Sequence, residues 1–151
     1  MFRSAVARPA RRSSRIPGIG PNAASRTIAA RAQAEGERGE VQEHTLDFRV
    51  GGREHTRTRI GGGPFQGTPL TNDSIYRDIV PNQRIVFAYT MTLGDKRISS
   101  SQATVEFLPS GNGTILAFTE QGAFFEGADG PERREQGWKS LLGQLQKFLA
   151  P

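Results

Sequence analysis

The sequence predicts an α+β fold: a curved antiparallel sheet of about six strands with one long C-terminal helix lying across it. Three observations carry this. Polar and apolar residues alternate in six short segments between residues 45 and 120, turns rich in Gly, Pro, Asn and Asp separate them, and one amphipathic helical stripe closes the chain. Strands that follow one another through short turns must pair antiparallel, because a parallel neighbour needs a crossover of about a dozen residues or more.

The elements follow in order. Residues 45–50 alternate, with Leu46, Phe48 and Val50 on one face and Asp47 and Arg49 on the other. Gly51-Gly52 turn the chain, and 54–60 form a polar return strand that ends at Gly61-Gly62-Gly63-Pro64. A third strand, 74–80, stops at Pro81-Asn82. The most apolar strand, 84–93, leaves through Gly94-Asp95. A fifth, 97–108, is closed by Pro109 and the turn at 110–113, and a sixth spans 114–120. In the helix, Asp129 and Glu132 stand at the spacing of a capping pair and Pro131 fits the first turn. Trp138, Leu141, Leu142, Leu145, Phe148 and Leu149 then recur three or four residues apart, with Arg133, Arg134, Glu135, Lys139, Gln144 and Lys147 placed off that stripe. The stripe must bury on the concave side of the sheet, the one large apolar partner in the sequence.

With 151 residues, one domain is expected. The absence of Cys excludes a disulfide framework, a thiolate metal site and a Cys nucleophile. No apolar run approaches the roughly 18 residues needed to cross a bilayer. The net charge of +5 divides unevenly. Residues 1–34 carry seven Arg and no acid, whereas 35–151 hold the other 13 basic and all 15 acidic groups, a net −2. The basicity belongs to the beginning of the chain, so nucleic acid is not an expected partner of the body.

Residues 1–42 read as an atypical basic arm, disordered in large part, and 43–151 as the folded domain. Pro9, Pro17 and Pro21 interrupt any helix in 1–22, and strand alternation is not evident there. Four readings of the arm stand: a polyanion-binding arm, an organelle transit peptide, a solvated tail, and a stretch translated from a wrong start or frame. The localisation expected is cytoplasmic, or organellar if 1–34 is a transit peptide.

Four strings, FRVGGRE (48–54), IYRDIVPNQRIVFAYTM (75–91), RISSSQATVEF (97–107) and GTILAFTEQGAFFEG (113–127), resemble the bacterial SRPBCC (START-like) proteins. More narrowly, they resemble the branch similar to the C-terminal domain of the activator of the heat-shock-protein-90 ATPase. The resemblance covers about residues 43–149. It implies a helix-grip fold: a first strand, two short helices, a six-stranded meander and a long C-terminal helix over a hydrophobic pocket. Residues 25–30 resemble the first strand, yet 31–42 are too few for two helices, and the Trp-Phe pair those helices carry in the family is missing here. The chain therefore reads as a shortened member or as one whose beginning is not native.

Few residues suggest chemistry. His44 and His55, with Glu43, Asp47 and Glu54 nearby in sequence, lie at hairpin edges and more simply face solvent, so no metal and no cofactor is expected. Ser99, Ser100 and Ser101 lack a nucleophile elbow and read as a polar sheet face, and the Gly runs lack a Walker lysine and read as turns. Glu120, among Phe118, Phe124 and Phe125, is the one weak catalytic candidate, as a desolvated general acid or base; its alternative is an ion pair with an Arg. Asp78 and Arg84 flank the Pro81 turn and suggest an exposed ion pair. Phe48, Tyr76, Tyr89, Met91, Phe118, Trp138 and Leu142 are the candidate ligand-binding residues, with plain core packing as the alternative for each, and for Phe87 and Phe107 too.

The first expectation for function is therefore a binding module holding a small hydrophobic or amphipathic molecule between sheet and helix. The second is a polyketide-cyclase-like enzyme using Glu120 or a Tyr for proton transfer. The third, implied only by the resemblance, is contact with a chaperone ATPase.

Overall fold

The computed structural model describes residues 5–6, 10–17, 39–111, 113–125, 127 and 129–149. Six strands form the expected meander: β3 (Gly39–Leu46), β4 (Arg53–Ile60), β5 (Pro69–Val80), β6 (Arg84–Leu93), β7 (Lys96–Ser110) and β8 (Gly113–Phe124). Each pairs antiparallel with the next. The chain closes in one helix, α1 (Pro131–Leu149). This is the helix-grip arrangement.

Two further strands, β1 (Ala5–Val6) and β2 (Ala10–Pro17), pair antiparallel with β8 on the side away from β7. The sheet thus includes a segment in which the sequence showed no alternation. Strand pairing uses the backbone, which Arg-rich composition leaves free, and Pro17 falls at the strand end, where the missing N–H costs least. The first strand read at 25–30 lies outside the described residues, as does the segment read as too short for two helices, up to residue 38.

The strand read at 45–50 is displaced. β3 ends at Leu46, and the chain then turns, with the Arg49 N–H on the Asp47 carbonyl at 3.0 Å and the Gly52 N–H on the Arg49 carbonyl at 2.8 Å. Leu46 and Val50, expected inside, are 42% and 56% exposed. Gly51 adopts a φ of 81°, which permits this turn. Phe48 alone of the three reaches the core, edge-on against Tyr76 with ring centroids 5.1 Å apart.

Along β5 to β8 every second side chain points to the face that receives α1, as the pleat requires. Tyr76, Ile85, Phe87, Tyr89, Ala103, Val105, Phe107, Leu116 and Phe118 are buried there, and Leu145 reaches them from the helix with Trp138 and Leu142 beside it. Full burial of one such side chain contributes about 1.5–3 kcal/mol, and this cluster holds helix and sheet together. A bulge opposite Met91 and Thr92 leaves Ile98 out of register and buried beside Ser99. The side chains of Phe148 and Leu149, the end of the expected stripe, lie outside the described residues.

The helix begins differently from the expected Asp129–Glu132 capping pair. Gly130 is the cap: its carbonyl accepts the Arg134 N–H at 3.0 Å. The Asp129 carboxylate instead takes the Gly130 N–H at 2.8 Å and the Arg134 guanidinium. Pro131 does occupy the first turn.

Candidate functional site

The inner face of the sheet is a ladder of cross-strand rungs that changes character along its length. One rung runs Thr56, Asn72, Met91, Ser99, Phe124, and the next runs Glu54, Ser74, Tyr89, Ser101, Gly122. A third runs Tyr76, Phe87, Ala103, Glu120, and beyond it Ile85, Val105 and Phe118 align, followed by Phe107 and Leu116. The interior is polar at the end formed by the first two rungs and apolar at the other.

Arg134 projects from the first turn of α1 into the polar end and is 8% exposed. Its Nη1 donates to Tyr89 Oη at 2.7 Å, to Glu120 Oε1 at 3.0 Å and more distantly to Ser101 Oγ at 3.4 Å. Its Nη2 donates to Ser99 Oγ at 2.6 Å and to Asp129 Oδ2. Tyr89 in turn donates its phenolic proton to Glu120 Oε1 at 2.6 Å and accepts a long bond from Trp138 Nε1 at 3.4 Å. A buried guanidinium persists only where acceptors replace its water, and here two carboxylates and three hydroxyls do so. The guanidinium also sits over the rings of Tyr89 and Phe124, 5.4 and 5.3 Å from their centroids.

The charges follow from this geometry. Burial raises the Tyr89 phenol well above its ordinary value; the Arg134 charge opposes the rise, and the Glu120 carboxylate adds to it. Tyr89 is therefore a neutral hydrogen-bond donor at physiological pH. For Arg134 burial works toward a lower value, but the carboxylates of Glu120 and Asp129 outweigh it and hold the guanidinium charged.

Two of the cavities among the described residues lie between sheet and helix. The larger, about 240 Å³, opens at the polar end and is lined by Ile60, Phe65, Leu70, Asn72, Tyr89, Met91, Leu93 and Ile98, and by Asp129, Arg133, Arg134, Gly137, Trp138 and Leu141. The smaller, about 50 Å³, lies in the apolar end among Tyr76, Ile85, Phe87, Val105, Leu116, Phe118, Trp138, Leu141, Leu142 and Leu145.

Against these cavities the sequence-based candidates divide. Tyr89, Met91 and Trp138 border the larger one, and Tyr76, Phe118, Trp138 and Leu142 the smaller. Phe48 borders neither. Glu120 also borders neither, and it is engaged by Tyr89 and Arg134, the ion-pair alternative of the sequence reading. Tyr76 spends its hydroxyl on the buried Glu54 carboxylate at 2.8 Å. Ser99 and Ser101 turn inward to Arg134, and only Ser100 of the three faces solvent. His55 bonds Asp73 at 2.7 Å and His44 bonds Thr56 at 3.0 Å; among the described residues no three His, Asp or Glu side chains are grouped to hold a metal. The Arg84–Asp78 pair forms at 2.7 Å, exposed as anticipated.

The residue that sequence reasoning missed is Arg134, placed among the polar positions off the stripe. Its signal was present: Arg134 stands four residues before Trp138, on the same side of the helix, and an inward Glu120 on the facing strand demands a buried cation.

The comparisons agree with this architecture. The family described as Activator of Hsp90 ATPase homolog 1-like protein matches residues 39–150. Among solved structures, the Mll3558 protein of Rhizobium loti is 39% identical, with a TM-score of 0.80 over 96% of this chain and 98% of that one. A protein of Rhizobium leguminosarum is 32% identical, with a TM-score of 0.79 over 99% and 97%. The ginseng major latex-like protein 151 of Panax ginseng, 9% identical with a TM-score of 0.66 over 98% and 99%, shares the fold alone. No match was found among curated proteins. Among the described residues no helix is long and apolar enough to cross a membrane. With about three-quarters of its length covered by that family and its helix-grip sheet in place, the chain belongs to the Activator of Hsp90 ATPase homolog 1-like proteins.

Proposed function

We propose that this protein binds a small apolar or amphipathic molecule in the larger cavity between sheet and α1, with an uncharged polar end of the ligand near Asn72 and Tyr89. The observation that carries the reading is the composition of that cavity: apolar walls from Leu70, Met91, Leu93, Ile98, Trp138 and Leu141, with a few polar groups at one side. The polar end is uncharged because Arg134 is already met by two carboxylates, Glu120 and Asp129, so a ligand carboxylate placed beside it would lose its hydration and meet like charge.

Native mass spectrometry of the protein purified from cells, together with melting temperatures across a panel of fatty alcohols, fatty acids and aromatic polyketides, tests this. A co-purifying small molecule and a rise in melting temperature with the uncharged members are expected. At 100 times Kd a ligand adds about 2.7 kcal/mol of stability. No bound molecule and no shift with any panel member would overturn the reading.

A cyclase-like reaction is the second reading, favoured by the short Tyr89–Glu120 bond beside the cavity. Only Tyr89 of that pair borders the ligand space, so a proton would pass through its hydroxyl, and turnover unchanged in Tyr89→Phe would dismiss it.

A further inference from the structure

Among the described residues, Trp138 and Leu141 border both cavities. The indole of Trp138 is fixed in place: it stacks on Phe118 at 4.0 Å between centroids, meets Tyr89 near edge-on at 6.4 Å and Phe87 at 6.5 Å, and its Nε1 points to Tyr89 Oη at 3.4 Å. The ring thus borders both a space of about 240 Å³ with polar groups and one of about 50 Å³ whose walls include Ile85, Val105, Leu116 and Leu142.

We infer that Trp138 is the specificity-determining residue of the site: a partition that ends the ligand's apolar tail in the larger cavity and shuts it out of the smaller one. This rests on the proposed ligand-binding function. The physical reason is size. The smaller space is too narrow to take more than a few methylene groups, and it is apolar, so it suits the end of an alkyl chain and nothing polar. Removing the indole joins the two spaces into one slot that runs from Asn72 to Leu116. Each methylene that then leaves water for this slot tightens binding roughly fourfold.

The test is a homologous series of primary alcohols, 1-hexanol to 1-tetradecanol, titrated calorimetrically into the intact wild-type chain and into Trp138→Leu. For the wild type, affinity is expected to climb with chain length and then level off. For Trp138→Leu the plateau moves to longer alcohols by two or three methylenes, so that the longest members bind about 15- to 60-fold more tightly relative to 1-hexanol than in the wild type. Identical plateaus in the two proteins overturn the partition and leave the binding reading standing. An affinity that climbs without levelling in the wild type overturns it as well. Failure of every alcohol to bind the wild type removes the binding reading, and the partition with it. Should Trp138→Leu not fold, as judged by circular dichroism, Trp138→Phe decides by the same comparison, with a smaller displacement of the plateau expected and an unchanged plateau overturning the inference.

Discussion

Arg134 brings a full charge into the interior and is stable there because Glu120, Asp129, Ser99 and Tyr89 accept hydrogen bonds from it. Removing it alone leaves Glu120 buried against Tyr89 without a counter-charge. Arg134→Met is therefore expected to cost about 3–5 kcal/mol in urea unfolding, whereas adding Glu120→Gln to that variant recovers most of the loss. A double variant as unstable as the single would contradict the pairing. Tyr89 supplies a pH signature. Its phenol has an ordinary value of 10.0 and a higher one in the fold, so above pH 10 the unfolded chain gives up a proton that the folded chain keeps. Stability from this group is complete below pH 10 and declines as pH rises above it, by as much as 1.4 kcal/mol per pH unit. Tyr89→Phe is expected to flatten the alkaline limb of melting temperature against pH; an unchanged limb would show that Tyr89 is not protected by burial.

At the scale of elements, β7 and β8 have to leave room for the helix's arginine. A Cβ on Gly122 would stand 2.5 Å from Ser101 Oγ, the hydroxyl opposite it in the ladder. Gly122→Ala is expected to destabilise the protein by about 1–3 kcal/mol, and the effect shrinks in a Ser101→Ala background because the obstructing oxygen is gone. Strict additivity of the two substitutions, measured by denaturant unfolding, would rule out that contact. Leu145, 4% exposed, anchors the other end of α1, and Leu145→Ala is expected to cost about 2–5 kcal/mol. The meander from β4 to β8 was legible because its alternation and its turns agree, as in 84–93, where periodicity and boundaries coincide with β6. The strand around Thr45 was misplaced by a few residues because Leu46, Phe48 and Val50 alternate through what is a turn. β2 was illegible for a different reason: an edge strand held by backbone bonds to β8 leaves no period in side-chain hydropathy. Of the residues that border the larger cavity, Tyr89, Met91 and Trp138 were placed on the inner face by strand and helix periods. Arg134 did not, since a charged residue is assigned to solvent until its partners across the fold are known.

For the molecule as a whole, the helix-grip frame encloses one interior with two ends. The polar end ties α1 to the sheet through a closed set of charges, and the apolar end holds it through Leu141, Leu145 and the aromatic cluster around Phe118. The larger cavity opens at the polar end, with Leu70, Met91, Leu93, Ile98, Trp138 and Leu141 among its walls. The net charge of +5 has little to do with this interior, because it arises from seven arginines in residues 1–34 and not from the body of the sheet. Trp138 is the single tryptophan of the chain and borders the cavity, so its emission reports occupancy directly. The decisive measurement is a titration of the wild-type protein with 1-octanol and, separately, with octanoate, followed through that emission. A saturable, one-to-one change with 1-octanol, with octanoate distinctly weaker, is the predicted result; emission unmoved by both, or octanoate bound the more tightly, would contradict a cavity that receives an uncharged amphipathic ligand.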